Sequence, residues 1–238
     1  MIGLGTAINI GLIIAGSLCG LAFGRFMKEN LKQTLMMVSG IIVLLLGMSG
    51  AMQYMLVIVN GTLQTTGPML MIISMVVGAV IGELIDLNRW ITVFGDWVKA
   101  KTGNTGDPQF THAFITASLT FTVGAMGVLG SIQDGLTGNY QTLLLKGILD
   151  GIIVMVMVSS MGKGALFSFI PVGITQWIIT AMAHIAAPLM TPSAIDNLSY
   201  VGSILIFCVG IDLIWPGKIR IANLLPAIFV AMGLTFLL

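Results

Sequence analysis

Lys146 and Asp150 stand one helical turn apart in a stretch, 141–160, that is otherwise almost wholly apolar. At i,i+4 the two side chains share one face of a helix and can neutralise each other or hold a common guest. A charge near the centre of a bilayer costs roughly 2.5 to 3.5 kcal/mol even in insertion assays. Such a pair is therefore expected inside a bundle or beside a transport path, not against lipid. The ammonium could bind an anionic group, and the carboxylate could exchange a proton or cation.

Other polar residues interrupt apolar runs. Ser118 and Thr122 share a helix face and lead into Gly124, Gly127 and Gly130. Their hydroxyls, with exposed carbonyls, suit a hard cation or a small solute, although the residue types single out no metal. Asn9, Gln176 and Asn223 fit plain interhelical hydrogen bonding as well as a pathway lining. Asp134 follows Gln133 in SIQDGLTGN, where Asp-Gly and Thr-Gly-Asn signal a turn. Asp134 thus reads as a turn or capping residue, or, if the segment dips inward, as a second carboxylate reaching Lys146 together with Gln133.

The elements that must position these residues are transmembrane helices. Hydrophobic residues make up 57% of the chain and charged residues 8%, against roughly 25% charged in soluble domains. Mean hydropathy is +1.05. Eight apolar segments are predicted at about 3–24, 33–54, 66–85, 111–130, 141–160, 165–187, 198–215 and 221–238. Most have the 17 to 25 residues that a spanning helix needs, about twice the length of a barrel strand. The fold class expected is an all-α polytopic membrane protein, one transmembrane domain over 1–238.

Basic residues give an orientation. Arg25, Lys28 and Lys32 follow the first segment, Arg89, Lys99 and Lys101 the third, Lys163 the fifth, and Lys218 and Arg220 the seventh. These are all the Lys and Arg residues except Lys146, so the odd-numbered loops are expected to be cytoplasmic and both termini outside. The cytoplasmic stretch 86–110 opens with LNRWITVFGDWVKAK, which gathers Trp90, Phe94, Trp97 and Val98 near one face and suits an interfacial amphipathic helix.

Two internal alignments compete. One sets segments one to three against four to six, sharing Gln-Thr-Leu at 33–35 and 141–143, which predicts inverted three-helix repeats of the kind secondary transporters use. The other matches segments two and three to seven and eight. Gly16, Gly20 and Gly24, then Gly78 and Gly82, then Gly147 and Gly151 form G-x-x-x-G runs where helices approach closely; the last, beside the charged pair, could instead leave room for a ligand. Pro171 with Gly173 predicts a kink or break in segment six, near Gln176. Glu83 and Asp212 read as interfacial carboxylates paired with Arg89, Lys218 or Arg220, or as lining of a cytoplasmic vestibule, and His184 as a packed or interfacial residue, or as a proton relay or ligand.

The sequence carries no H-E-x-x-H, G-x-S-x-G, P-loop or C-x-x-C motif, so no enzyme activity and no cofactor are expected. Ten basic residues scattered over short loops give no nucleic-acid surface. The stretch VGAMGVLGSIQDGLTGNYQTLLLKGILDG, with GTAINIGLIIAGSLCG and GELIDLNRW, resembles the bacterial membrane-protein family catalogued as domain of unknown function 554, along the whole chain. The resemblance would make Gly130, Gln133, Asp134, Gly135, Lys146, Asp150 and Gly151 this chain's version of the family signature. It implies a multi-pass protein of the bacterial cytoplasmic membrane and brings no settled activity; members are loosely described as transporters. The functional expectation is a secondary transporter or channel for a small solute or ion, with the bilayer and that solute as partners and room for a homo-oligomer. The alternative is a structural or regulatory membrane protein whose buried charges serve assembly.

Overall fold

The computed structural model describes residues 1–24, 26–123, 125–189 and 191–236. Arg25 and Gly124, used above, lie outside the described residues. The chain folds as α1 (Leu4–Gly24), α2 (Glu29–Met55), a hairpin of β1 (Leu56–Val59) and β2 (Thr62–Thr65), α3 (Pro68–Ile85), α4 (Leu87–Lys101), α5 (Phe110–Thr122), α6 (Ala125–Thr137), α7 (Gln141–Met161), α8 (Phe169–Ala181), α9 (Ala183–Ala186), α10 (Pro192–Ile214) and α11 (Pro226–Leu234), with short 3-10 turns before α8, after α9 and before α11.

Polarity runs outward in the sense expected for a bilayer. Ile72, Val76, Val80 and Leu84 form an exposed row along α3, as do Ile41 and Leu45 on α2, and Ile174 and Ile178 on α8. Polar groups lie inside, among them Thr6, Asn9, Ser17, Ser74 and Gln176. Rows spaced by four residues occupy one helix face, and such a face suits an apolar surround such as lipid rather than water.

Among the described residues, six helices are long and apolar enough to cross a membrane, and up to seven if a bent pair counts as one span. The bent pair is α5 with α6, which meet at 60°. Ile221–Leu234 is apolar but short, at 14 residues below the length a perpendicular crossing needs. The expected segment 111–130 is therefore two half-helices. α5 ends where Val123 turns extended (φ −80°, ψ 121°), and α6 continues through residues expected to be a turn.

Segment six is also corrected. Pro171 does not break a helix: a 3-10 turn over Lys163–Ser168 leads directly into α8, and Pro171 occupies its first turn. There a missing N–H removes no intrahelical bond. The strong bend of the bundle falls in α5–α6 instead. The β hairpin was not anticipated, although Asn60 and Gly61, both with positive φ, form its two-residue turn, a strong hairpin signal.

Glycines set the helix pairs. A Cβ on Gly16 would fall on the Gly151 carbonyl, one on Gly20 on Met155, and one on Gly24 against Ser159, so α1 and α7 run parallel in close contact. Gly40 faces Gly210 and Ile214, while Gly47 and Gly50 face Ser203, so α2 and α10 are antiparallel. Gly78 meets Ala227 and Gly82 meets Asn223, joining α3 to α11, also antiparallel. All three G-x-x-x-G runs are thus packing surfaces; Gly147 and Gly151 are covered by Asn9 and Leu12 of α1. The main core, including Ile13, Val43, Leu119, Phe121, Val154, Val209 and Leu213, sits where α1, α2, α5, α7 and α10 converge.

α4 is amphipathic as expected. Val98 and Gly95 are buried against Phe110 and Phe114 of α5, and Phe94 lies 5.8 Å from Phe114 between ring centroids, while Trp90 and Trp97 are exposed. Asp86, in the left-handed region, accepts from the Arg89 N–H at 3.4 Å and starts the helix.

Candidate functional site

α7 carries Lys146 and Asp150 into the bundle because its two glycines and Leu143 press onto α1 and turn the charged face inward. The Lys146 ammonium contacts Asp150 Oδ2 directly, and both residues are buried, at 7% and 6% exposure. Asp150 Oδ2 is the ammonium's only hydrogen-bond acceptor among the described residues. Asn9 of α1 lies beside the Asp150 carboxylate, fully buried.

The pair forms part of the wall of a cavity of about 320 Å³. The wall also includes the last turn of α5 (Thr120, Phe121, Val123), the first turn of α6 (Met126, Gly127), Ser199 and Ser203 of α10, and Gly50, Gln53 and Tyr54 near the hairpin end of α2. A Cβ placed on Gly127 would sit 3.3 Å from Lys146 Cε, so the lysine stem passes over the start of α6. Behind Phe121 and Gly127, Thr122 and Gln176 border a small separate void. The Thr122 hydroxyl and both Gln176 amide atoms are buried without a protein partner.

The other expected site residues lie elsewhere. The Ser118 hydroxyl donates to the Phe114 carbonyl of its own helix. Gln133 is exposed and accepts from the Thr142 hydroxyl at 2.7 Å. Asp134 is fully buried and helical, so it is no turn residue; its Oδ2 accepts from the Gly5 N–H at 3.1 Å and caps the start of α1. It is seven residues along α6 from Gly127, about 10 Å at 1.5 Å per residue, and makes no contact with Lys146. The structure thus gathers Lys146, Asp150 and Asn9, with Thr122 and Gln176 adjoining, and leaves Ser118, Gln133 and Asp134 apart.

A second contact, between a part-exposed histidine and a buried aspartate, lies outside the expected site. His112 Nε2 of α5 lies 3.4 Å from Asp212 Oδ2 of α10, and Asp212 Oδ1 accepts from the Gly217 N–H at 2.8 Å. Asp212 is therefore not paired with Lys218 or Arg220 as expected. Glu83 does pair with Arg220, at 3.2 Å. Both contacts adjoin a cavity of about 370 Å³ at the α4 end of the bundle, bordered also by Asn88, Thr92 and Thr116. α5 borders both cavities, with His112 and Thr116 in one and Thr120 and Phe121 in the other. Leu119, which borders the first cavity, and Val209 belong to the apolar core. The clue available in sequence was depth: His112 begins segment four and Asp212 ends segment seven at the same expected face.

No group of three or more His, Cys, Asp and Glu side chains suited to a metal ion occurs among the described residues. Taken together, the lipid-facing apolar rows, the spanning helices and the inward charges define a polytopic helical membrane protein. The chain belongs to the family described as "Protein of unknown function (DUF554)", whose model matches residues 4–236. It is 27% identical over 235 residues to the uncharacterised membrane protein YdfK of Bacillus subtilis (strain 168), covering 98% of this chain and 96% of that one. It is 24% identical over 240 residues to the uncharacterised protein YqgA of Escherichia coli (strain K12), with the same coverage. No solved structure matches. The relatives and the apolar helices identify a multi-pass bacterial membrane protein.

Proposed function

We propose that the Lys146–Asp150 pair serves assembly, in a structural or regulatory membrane protein. The observation that carries this reading is the direct contact of the two charges inside an apolar bundle. The pair neutralises itself, and the glycines beside it are used to pack α7 on α1. Loss of one partner leaves a lone buried charge, worth about 3 to 5 kcal/mol, whereas apolar replacement of both is often neutral. The yield of monodisperse protein from Lys146→Met, Asp150→Leu and the double variant tests this. Recovery in the double supports assembly; a double as poor as the singles contradicts it.

A second reading, a secondary transporter or channel for a small solute or ion, is favoured by the cavity that reaches the pair and by the bend between α5 and α6. In this reading Lys146, Asp150 and Asn9 form the binding centre and Thr122 and Gln176 the adjoining polar wall. The α5–α6 pair and Ile221–Leu234 each complete a crossing, giving eight, with both termini outside and α4 at the cytoplasmic interface. An inverted repeat is part of this reading; of the two alignments, the one that sets segments two and three against seven and eight pairs helices that also pack antiparallel, α2 on α10 and α3 on α11. No enzymatic step is part of either reading. Flux of labelled ions and small metabolites through purified protein in liposomes tests the transporter, which predicts that Asp150→Asn loses flux per unit of folded, reconstituted protein. Absence of flux across the panel counts against it.

A further inference from the structure

We propose that the cavity beside Lys146 and Asp150 binds a small zwitterion, a molecule carrying one ammonium and one carboxylate or phosphate. This deepens the transporter reading by naming its ligand class and rests on the same cavity.

The first reason is charge balance. The Lys146–Asp150 pair sums to zero, so a guest of net charge entering between them would leave one charge uncompensated in an apolar bundle. A zwitterion leaves none: its anionic group meets the lysine and its ammonium meets the aspartate.

The second reason is unused hydrogen-bonding capacity. An ammonium has three donors, and Lys146 spends one on Asp150 Oδ2, its single acceptor among the described residues. The remaining donors belong to a side chain that is itself only 8% exposed and adjoins the cavity. Elsewhere in the lining the hydroxyls of Thr120, Ser199 and Ser203 each donate to a carbonyl of their own helix. Their oxygens keep lone pairs, so this lining offers acceptors to a guest ammonium.

The third reason is the broken span. The cavity adjoins both the last turn of α5 and the first turn of α6. A helix end presents free carbonyls and a negative dipole end; a helix start presents free N–H groups and a positive one. A continuous helix would offer neither at this depth, and the two ends that border the cavity offer one of each sign. The cavity, at about 320 Å³, lies at the lower end of the range for small-molecule sites.

The zwitterion has two sources, a soluble amino-acid-like solute or the ethanolamine headgroup of a lipid. In the first arm, the unfolding midpoint of purified protein is followed with ω-amino acids from glycine to 5-aminopentanoate, and with the matching carboxylic acids and amines. In the second, the protein is placed in nanodiscs of phosphatidylethanolamine or of phosphatidylglycerol. A saturable rise with an amino acid, absent with its acid and its amine, supports a soluble ligand. A rise in phosphatidylethanolamine alone supports the lipid. In either arm Thr120→Met, whose longer chain intrudes into the cavity and leaves both charges in place, should lower the affinity at least tenfold; Thr120→Val, which removes one acceptor, should lower it several-fold. The proposal is overturned by no rise in either arm, by an acid or amine acting as well as the zwitterion, or by a response that survives Thr120→Met. Binding without flux in liposomes would end the transporter reading and leave this site standing. Flux without zwitterion binding would do the reverse.

Discussion

The N–H of Gly5 donates to Asp134 Oδ2 at 3.1 Å, tying the first turn of α1 to the far half of the broken span. A carboxylate at a helix start satisfies an otherwise free N–H and opposes the positive end of the dipole. Asp134 thus holds two elements together across 129 residues of sequence. Asp134→Ala is expected to lower stability by about 1 to 3 kcal/mol, the scale for a buried group left unsatisfied. Chemical unfolding in mild detergent measures it, and an unchanged midpoint would remove the cap from the account.

Helix contact through glycine gives a paired test on α1. Gly16 lies against the Gly151 carbonyl, whereas a Cβ on Gly11 would meet open space. Gly16→Ala should destabilise by about 1 to 3 kcal/mol through overpacking. Gly11→Ala, on the same helix, should be neutral or stabilising by up to about 1 kcal/mol. Equal effects of the two would contradict the parallel α1–α7 packing.

Asp212 holds both His112 and the Gly217 N–H. Asp212→Ala should therefore destabilise more than His112→Ala, since it orphans the Gly217 N–H as well. Unfolding midpoints of the two variants, compared at one pH, give the order directly. The reverse order would show that Asp212 does not organise the loop after α10.

Membrane class, most helix positions and the inward charges were legible in sequence because bilayer physics writes them as long apolar runs and rare charges. The i,i+4 spacing of Lys146 and Asp150 was enough to place them on one face. The break between α5 and α6 was hidden because Val123 and Gly124 sit within an unbroken hydrophobic run, while Pro171, the louder signal, falls in a first turn where it is tolerated. That Asp134 is helical was hidden because a helix through Asp-Gly contradicts local propensity; burial of α6 against α8 and α1 overrides it, with Gly135 packed on Thr180, and the capping role open to Asp134 in the sequence is exercised on α1. The His112–Asp212 contact joins helices far apart in the chain, and no local pattern encodes which helices become neighbours.

The most direct test of the central claim is a double-mutant cycle on Lys146 and Asp150, with unfolding free energy measured for the wild type, Lys146→Met, Asp150→Leu and the double variant. If the buried contact serves assembly, each single change should destabilise by about 3 to 5 kcal/mol and the double should return to within about 1 to 2 kcal/mol of the wild type. Losses that simply add in the double variant, or single changes that leave stability untouched, would contradict the account.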